Sequence, residues 1–265
     1  MSFNAQGLQI AFRNVEHIRH FFFYPSIGST NDKAKELAQA GAEEGTLILA
    51  DHQTGGRGRS GRNWFSPPGL GLYASMILRP GIPVEQAFGV HMAASLAAAE
   101  AAEGLRLQSV VGIKWPNDLM AEGRKLAGVL SEVGIHGGKL EWCVVGVGLN
   151  VNHTRSDFPP DLQDKAISLR QLCHRRLDRT TMLLSILDAM DVWYERFREG
   201  GLDALAPEWR RRSSILGRLV RVETAGEDYV GTAVALEEDG ALRVRLESGV
   251  EEVLRAADVY LVQFR

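Results

Sequence analysis

Gln53-Thr54-Gly55-Gly56-Arg57-Gly58-Arg59-Ser60-Gly61-Arg62 constrains the fold more than any other stretch. Four glycines and three arginines fall within its ten residues. Glycine admits positive φ and close backbone approach to a ligand. Successive backbone N–H groups in such a loop make an anion-binding concavity. Arginine adds a planar fork suited to phosphate or carboxylate. Alone, the stretch is equally a solvated surface loop or an RG-rich nucleic-acid tail. Its flanks argue for order. The apolar run Thr46-Leu47-Ile48-Leu49-Ala50 leads into it, and Trp64, Phe65 and the strand-like run Leu72 to Leu78 follow. The loop is therefore expected between two strands of a folded domain.

With 265 residues and 45% hydrophobic content, the chain can build one large domain with an appendage, or two domains. A net charge of −3 makes the loop arginines a local feature, not part of a basic surface. No apolar run reaches the roughly 18 residues of a membrane span, and the N-terminus carries no signal-peptide core. A cytoplasmic protein with no membrane partner is expected. Cys143 and Cys173 read as reduced thiols. His17 and His20 lack companions of metal-site spacing and read as surface residues.

In chain order, residues 1–20 are a weakly patterned leader. Phe21 to Tyr24 open a strand that Pro25 stops. Ser29 or Thr30 caps a helix whose stripe is Ala34, Leu37 and Ala38, with Asp32 in its first turn. Ser29-Thr30-Asn31 is a cap alone, or a ligand wall at a strand end. A long Ala-rich helix runs from Pro83 to Gly104. A strand over 109–114 ends in the turn Trp115-Pro116-Asn117-Asp118, and strands over 124–132 and 140–149 follow. Gly146 and Gly148 lie inside the last, which marks a close approach by ligand or backbone. Residues 161–180 read as a polar connection. Thr181 to Arg198 is an amphipathic helix ended by Gly200-Gly201. A shorter helix over 202–212 has Pro207 as a break. Short turns separate these strands as often as helices do, so the class is α+β with a mixed sheet. From Ile215 onward, four short strands and turns at 225–228, 238–240 and 248–249 suggest a small closed barrel. The expected domains are 1–212 and 213–265.

The polar groups converge on strand ends and loops. Here the chain resembles the biotin protein ligases. The matching blocks are S-T-N at 29–31, Q-T-G-G-R-G-R-S-G-R at 53–62, W-F-S-P-P-G at 64–69, L-Y-A-S-M at 72–76, K-W-P-N-D-L at 114–119, R-K-L-A-G-V-L-S-E at 124–132 and G-V-G-L-N-V-N at 146–152. The resemblance spans about residues 20–265 and implies a biotin/lipoate ligase-like catalytic domain followed by an SH3-like β-barrel. It implies two steps. Biotin carboxylate attacks the α-phosphate of ATP, giving biotinyl-AMP and pyrophosphate. A lysine of a biotin carboxyl carrier domain, of the acetyl-CoA carboxylase type, then attacks the mixed anhydride.

Carboxylate and triphosphate repel, so cations must bring them together. The resemblance makes Arg57, Arg59, Lys125 and Asp118 catalytic. It gives biotin Ser29, Thr30, Asn31, Gln53, Arg57, Gly58, Arg59, Lys125, Gly128, Gly146 and Gly148. It gives the nucleotide Arg57, Arg59, Arg62, Trp64, Lys114, Asn117, Lys125 and Asn150. Mg²⁺ is expected to arrive with the ATP phosphates, near Asn117 or Asp118. The plain alternatives are Trp64 as core, Asn117-Asp118 as a turn and Lys125 as a solvated charge. The chain departs from the family pattern at Ser60, where some members have a third loop arginine, and at Gly71, where asparagine is common. No helix-turn-helix precedes the catalytic stretch, so the form without an N-terminal DNA-binding domain is expected, with no DNA partner. A homodimer is left open. A lipoate or octanoate ligase or acyltransferase is the related alternative, which the polar set Ser29, Thr30, Asn31 and Gln53 argues against. A nucleic-acid-binding module is the alternative of another class. The acidic balance and Glu237, Glu238, Glu247, Glu251 and Glu252 argue against it.

Overall fold

The computed structural model describes residues 3, 5–13, 15, 17–224, 228–237, 239–255 and 257–262. The elements are α1 (Ala5–Ala11), β1 (His20–Tyr24), α2 (Thr30–Gln39), β2 (Thr46–Ala50), β3 (Gly71–Leu78), α3 (Ala87–Glu103), β4 (Val111–Lys114), β5 (Asp118–Ala121), β6 (Arg124–His136), β7 (Lys139–Asn150), α4 (Leu169–Cys173), α5 (Arg179–Arg212), β8 (Leu219–Glu223), β9 (Tyr229–Leu236), β10 (Leu242–Leu246), β11 (Glu251–Leu254) and β12 (Asp258–Leu261).

The first seven strands make one sheet in the order β1-β2-β3-β7-β6-β5-β4. Only β1 and β2 pair in parallel. The other ladders are antiparallel. The sheet is thus mixed and the class α+β. Strand side chains alternate between faces. One face, with Leu72, Met76, Val145 and Leu149, packs against α3 and α5. Most of α3 is buried, and its alanines bring it close to its neighbours. The opposite face receives α2, where Ala34 and Ala38 meet Ile48, Ile77 and Val144. Ser29 caps α2 by accepting from the Asp32 backbone N–H.

Several elements differ from the sequence expectation. Asp118 opens β5 instead of ending a turn. That strand is only four residues long, too short to show a period. Pro207 does not break its helix. The bend lies at Gly201 (φ 65°, ψ −158°), while buried Leu205 and Trp209 hold the following turns in place. The leader is not featureless: Leu8 and Phe12 are buried, and Phe12 meets Phe21 edge-on at 5.1 Å between ring centres. His17 is not a plain surface residue, since its Nδ1 contacts Asp191 of α5. The polar connection over 161–180 contains α4, capped by Ser168.

Strands β8 to β12 make a second, antiparallel sheet in the order β11-β10-β9-β8-β12. Among the described residues no ladder joins β11 to β12. The expected turn residues Ala225, Gly226, Glu227 and Glu238 lie outside the described residues. This sheet docks directly on the first. The Ser214 N–H donates to the Ile113 carbonyl at 2.9 Å, and Trp115 Nε1 donates to the Gly240 carbonyl at 3.0 Å.

Candidate active site

The polar residues gather on the α2 face of the large sheet. Register explains how. Ser75 pairs with Gly146 and Tyr73 with Gly148 across β3 and β7. Leu130 pairs with Gly146 and Gly128 with Gly148 across β6 and β7. These residues therefore share one face, and two rows of it lack bulk at their centre. The start of α2 and the arginine loop fill the hollow. A methyl group at Gly146 would lie 1.8 Å from Asn31 Oδ1, and one at Gly148 would lie 2.5 Å from Trp64 Nε1. The two glycines thus seat Asn31 and Trp64 against the sheet.

A narrow slot of about 40 Å³ results, lined by Ser29, Thr30, Asn31, Gln53, Arg57, Gly58, Trp64, Lys125, Gly128, Gly146 and Gly148 among others. Ligand pockets generally occupy about 300–1,000 Å³, so the slot as it stands is narrower than a ligand pocket. Beside the slot lies a cavity of about 630 Å³, lined in part by Arg59, Arg62, Lys114, Asp118, Asn150 and Tyr260. The two spaces share Gly58, Trp64, Asn117 and Lys125.

The slot's polar wall is tightly bonded. Thr30 N and Oγ1 donate to Gln53 Oε1 at 2.8 and 3.1 Å. Gln53 Nε2 donates to Ser66 Oγ at 2.9 Å. Ser75 Oγ lies 2.8 Å from Thr30 Oγ1 and 2.7 Å from Asn31 Oδ1. Asn31 Nδ2 donates to the Leu130 carbonyl and to Glu132 Oε2, at 3.2 and 3.0 Å. Trp64 Nε1 is buried with no partner among the described residues, a donor held ready at the slot.

The cations are paired with three carboxylates. Arg57 contacts Asp32. Hydrogen bonding to Asp32 pushes the Arg57 guanidinium further up from its ordinary range. Lys125 Nζ lies 2.5 Å from Asp118 Oδ1 and Lys114 Nζ 3.2 Å from Asp118 Oδ2. The Lys125 ammonium also stands 5.3 Å from the centre of the Trp64 ring, within range of a cation–π attraction. Asp118 therefore orients two lysines, one on each of its oxygens.

Arg59 does not line the slot, contrary to the expectation that it shares the biotin wall. Its guanidinium is drawn to Asp258 of β12 and to the Ala257 carbonyl, the latter at 2.5 Å. Arg62 joins the same carboxylate at 2.8 Å. Burial opposes ionisation of Asp258, yet the bond from Arg62 and the charge of Arg59 hold its carboxyl below the ordinary range. A depressed acid stabilises the fold above its unfolded pKa, and that gain is lost as pH falls through the folded value. The tie is thus complete at neutral pH and opens only in acid. Arg57 is thus paired with Asp32, and Arg59 and Arg62 share Asp258.

Asn117 Nδ2 donates to the Val129 carbonyl and Asn150 Nδ2 to the Lys125 carbonyl, both at 3.3 Å. Each braces the strand that carries the shared lysine. Two departures from the family pattern have local reasons. A methyl at Gly71 would lie 2.3 Å from the Tyr73 hydroxyl, so glycine gives that ring its place. Ser60 adopts φ 56° inside the 3₁₀ turn Arg59–Gly61, in the left-handed region. The sequence did not single out Ser75, Asp258 or Tyr260. Ser75 reads as one more residue of a buried strand, and the other two come from a sheet distant in sequence.

Comparison with known proteins agrees with this geometry. Residues 23–150 match the biotin/lipoate A/B protein ligase family and residues 215–262 the biotin protein ligase C terminal domain. The bifunctional ligase/repressor BirA of Bacillus spizizenii is 33% identical over 246 residues, covering 92% of this chain and 74% of that protein. The chain belongs to the biotin protein ligase family. Among other members, the biotin–[acetyl-CoA-carboxylase] ligase of Mycobacterium tuberculosis is 35% identical over 237 residues, covering 88% of this chain and 85% of the relative. The biotin protein ligase of Aquifex aeolicus, solved in complex with biotin and ATP, superposes with a TM-score of 0.77 at 27% identity. That match covers 92% of this chain and all of the other.

Proposed function

We propose that this chain is an ATP-dependent biotin ligase. It joins the biotin carboxylate to the α-phosphate of ATP with loss of pyrophosphate. It then passes the biotinyl group to a lysine of a biotin carboxyl carrier domain with loss of AMP. One observation carries the proposal: Lys125 stands where the narrow slot and the wide cavity meet. A head group seated in the slot directs its carboxylate toward that junction. A nucleotide in the wide cavity brings its α-phosphate to the same place. The Lys125 ammonium then lies between two anions that would otherwise repel, and it stabilises the charge that builds on phosphorus. Arg57 approaches from the slot side, and Arg59, Arg62 and Lys114 line the cavity side. Thr30, Asn31 and Gln53 offer the donors and acceptors that a ureido ring requires.

Each oxygen of Asp118 meets one lysine, which leaves acceptor capacity on the carboxylate at the cavity side. Any Mg²⁺ is proposed to arrive with the nucleotide phosphates, near Asn117 or Asp118. We place residues 1–212 in the catalytic unit and 213–265 in the C-terminal unit. The carrier domain of a carboxylase of the acetyl-CoA type is the proposed partner, and the cytoplasm the proposed compartment. Among the described residues no helix is long and apolar enough to cross a membrane.

The test is pyrophosphate exchange with biotin, lipoate and octanoate side by side. Exchange is expected with biotin alone. Faster exchange with either aliphatic acid would replace this proposal with the related ligase activity. A second expectation concerns the slot wall. Gly146→Ala should push Asn31 off its seat and leave buried polar groups unpaired, a loss of about 1–3 kcal/mol. Titration calorimetry should show biotin binding weakened about tenfold. Unchanged affinity would mean that Asn31 does not touch the head group.

A further inference from the structure

Glu132 closes the Arg124–Glu132 block and bonds to two different parts of the site. Its Oε2 accepts from Asn31 Nδ2 at 3.0 Å, and its Oε1 lies 2.7 Å from Lys35 Nζ. Lys35 continues to Asp32 Oδ1 at 3.2 Å, and Asp32 holds Arg57. Four charges of alternating sign thus run from β6 across the first turns of α2 to the arginine loop. The series ends in Arg57, and its other branch ends in the slot wall. We propose that Glu132 is a positioning residue for adenylation, holding the head-group wall through Asn31 and orienting Arg57 through Lys35 and Asp32. This rests on the ligase function proposed above.

Two observations set this role apart from simple attachment of α2 to the sheet. Helix α2 is already seated by Ala34 and Ala38 against Ile48, Ile77 and Val144, and by the Ser75 contacts to Thr30 and Asn31. The ion pairs are also partly exposed: Lys35 and Glu132 keep 24% and 26% of their side-chain surface. Such pairs contribute little to global stability. Their geometric effect is larger, because each link restricts the rotamers of the next. Burial opposes charge on Lys35 and Asp32. Even so, their mutual bonds and those to Glu132 and Arg57 raise the Lys35 pKa and lower that of Asp32, so these two groups stay ionised at neutral pH.

The two branches can be cut separately. Glu132→Gln keeps an acceptor for Asn31 and loses the charge that fixes Lys35. Lys35→Met cuts the relay without touching Asn31. Both should lower the turnover of biotin-dependent pyrophosphate exchange about tenfold, with the biotin dissociation constant and melting temperature near those of the parent. The double variant should be no slower than either single one, since both sever the same series. Lys35→Arg, which can still bridge two carboxylates, should restore most of the turnover. Glu132→Ala should in addition weaken biotin binding about tenfold. If the double variant loses the product of the single losses, or if turnover and affinity fall together in every variant, Glu132 is not a relay. Unchanged turnover in Glu132→Gln and Lys35→Met would overturn the inference alone. A parent enzyme without biotin-dependent exchange would overturn the ligase proposal and this inference with it.

Discussion

Lys125→Ala is expected to lower biotin-dependent pyrophosphate exchange by about two to three orders of magnitude, the usual effect of deleting a preorganised group that stabilises transition-state charge. The fold should survive. The Lys125 side chain is one-third exposed, and its backbone bonds to Lys165 and Ile167 do not depend on the ammonium. Asp118 loses one partner but keeps Lys114. The loss should therefore appear in turnover, with little change in melting temperature. Binding should be affected less than rate, because the ammonium matters most when the carboxylate and the α-phosphate close on each other. The measurement is exchange at saturating biotin and ATP, beside calorimetric biotin binding and a melting curve. Exchange within a few-fold of the parent would remove Lys125 from the chemistry and leave it as a brace for Asp118 and Trp64.

How much of this was legible in the sequence depended on the range of the signal. The strand over 46–50 and the cap at Ser29 are written in neighbouring residues, through period and hydroxyl chemistry, and both appear in the structure. The mixed sheet followed from short turns between successive strands. β5 was lost in a turn because four residues next to a proline carry no period. Pro207 reads as a stop, but tertiary burial of Leu205 and Trp209 outweighs one missing backbone hydrogen bond. The candidate site was legible where it depends on residue type, as at Thr30, Asn31 and Lys125, which line one slot. It was not legible where it depends on pairing. Nothing within ten residues of Arg59 announces Asp258, which stands 199 positions away. Gly146 shows the same limit. Its place in a strand signals a close approach, but only the register with Ser75 and Leu130 reveals that Asn31 makes it.

Arg59→Gly is expected to make the enzyme release its adenylate. In the parent, Arg59 ties the loop to β12 through Asp258 and the Ala257 carbonyl, while its own side chain lines the wide cavity. Glycine removes the tie and the cavity-side charge together. A charge-assisted hydrogen bond is worth about 1.5–3 kcal/mol, so its loss should raise escape of the anhydride by roughly one to two orders of magnitude. A fifth glycine in the loop also raises the entropy cost of holding it closed. Adenylation itself should persist, because Lys125 stays at the junction and Arg57 stays on Asp32. The intermediate would then leave before a carrier lysine arrives and acylate exposed lysines on unrelated proteins. Incubation with biotin, ATP and serum albumin, followed by streptavidin detection, reads this directly. Asp258→Ala removes the carboxylate half of the tie, keeps the Ala257 carbonyl as an acceptor and leaves the Arg59 charge in place. Leakage in both variants would assign retention to the contact between loop and second sheet. Leakage in Arg59→Gly alone would assign it to the guanidinium and its bond to the Ala257 carbonyl, not to the Asp258 carboxylate. Albumin labelling no greater than with the parent, while adenylate still forms, would show that Arg59 does not hold the intermediate.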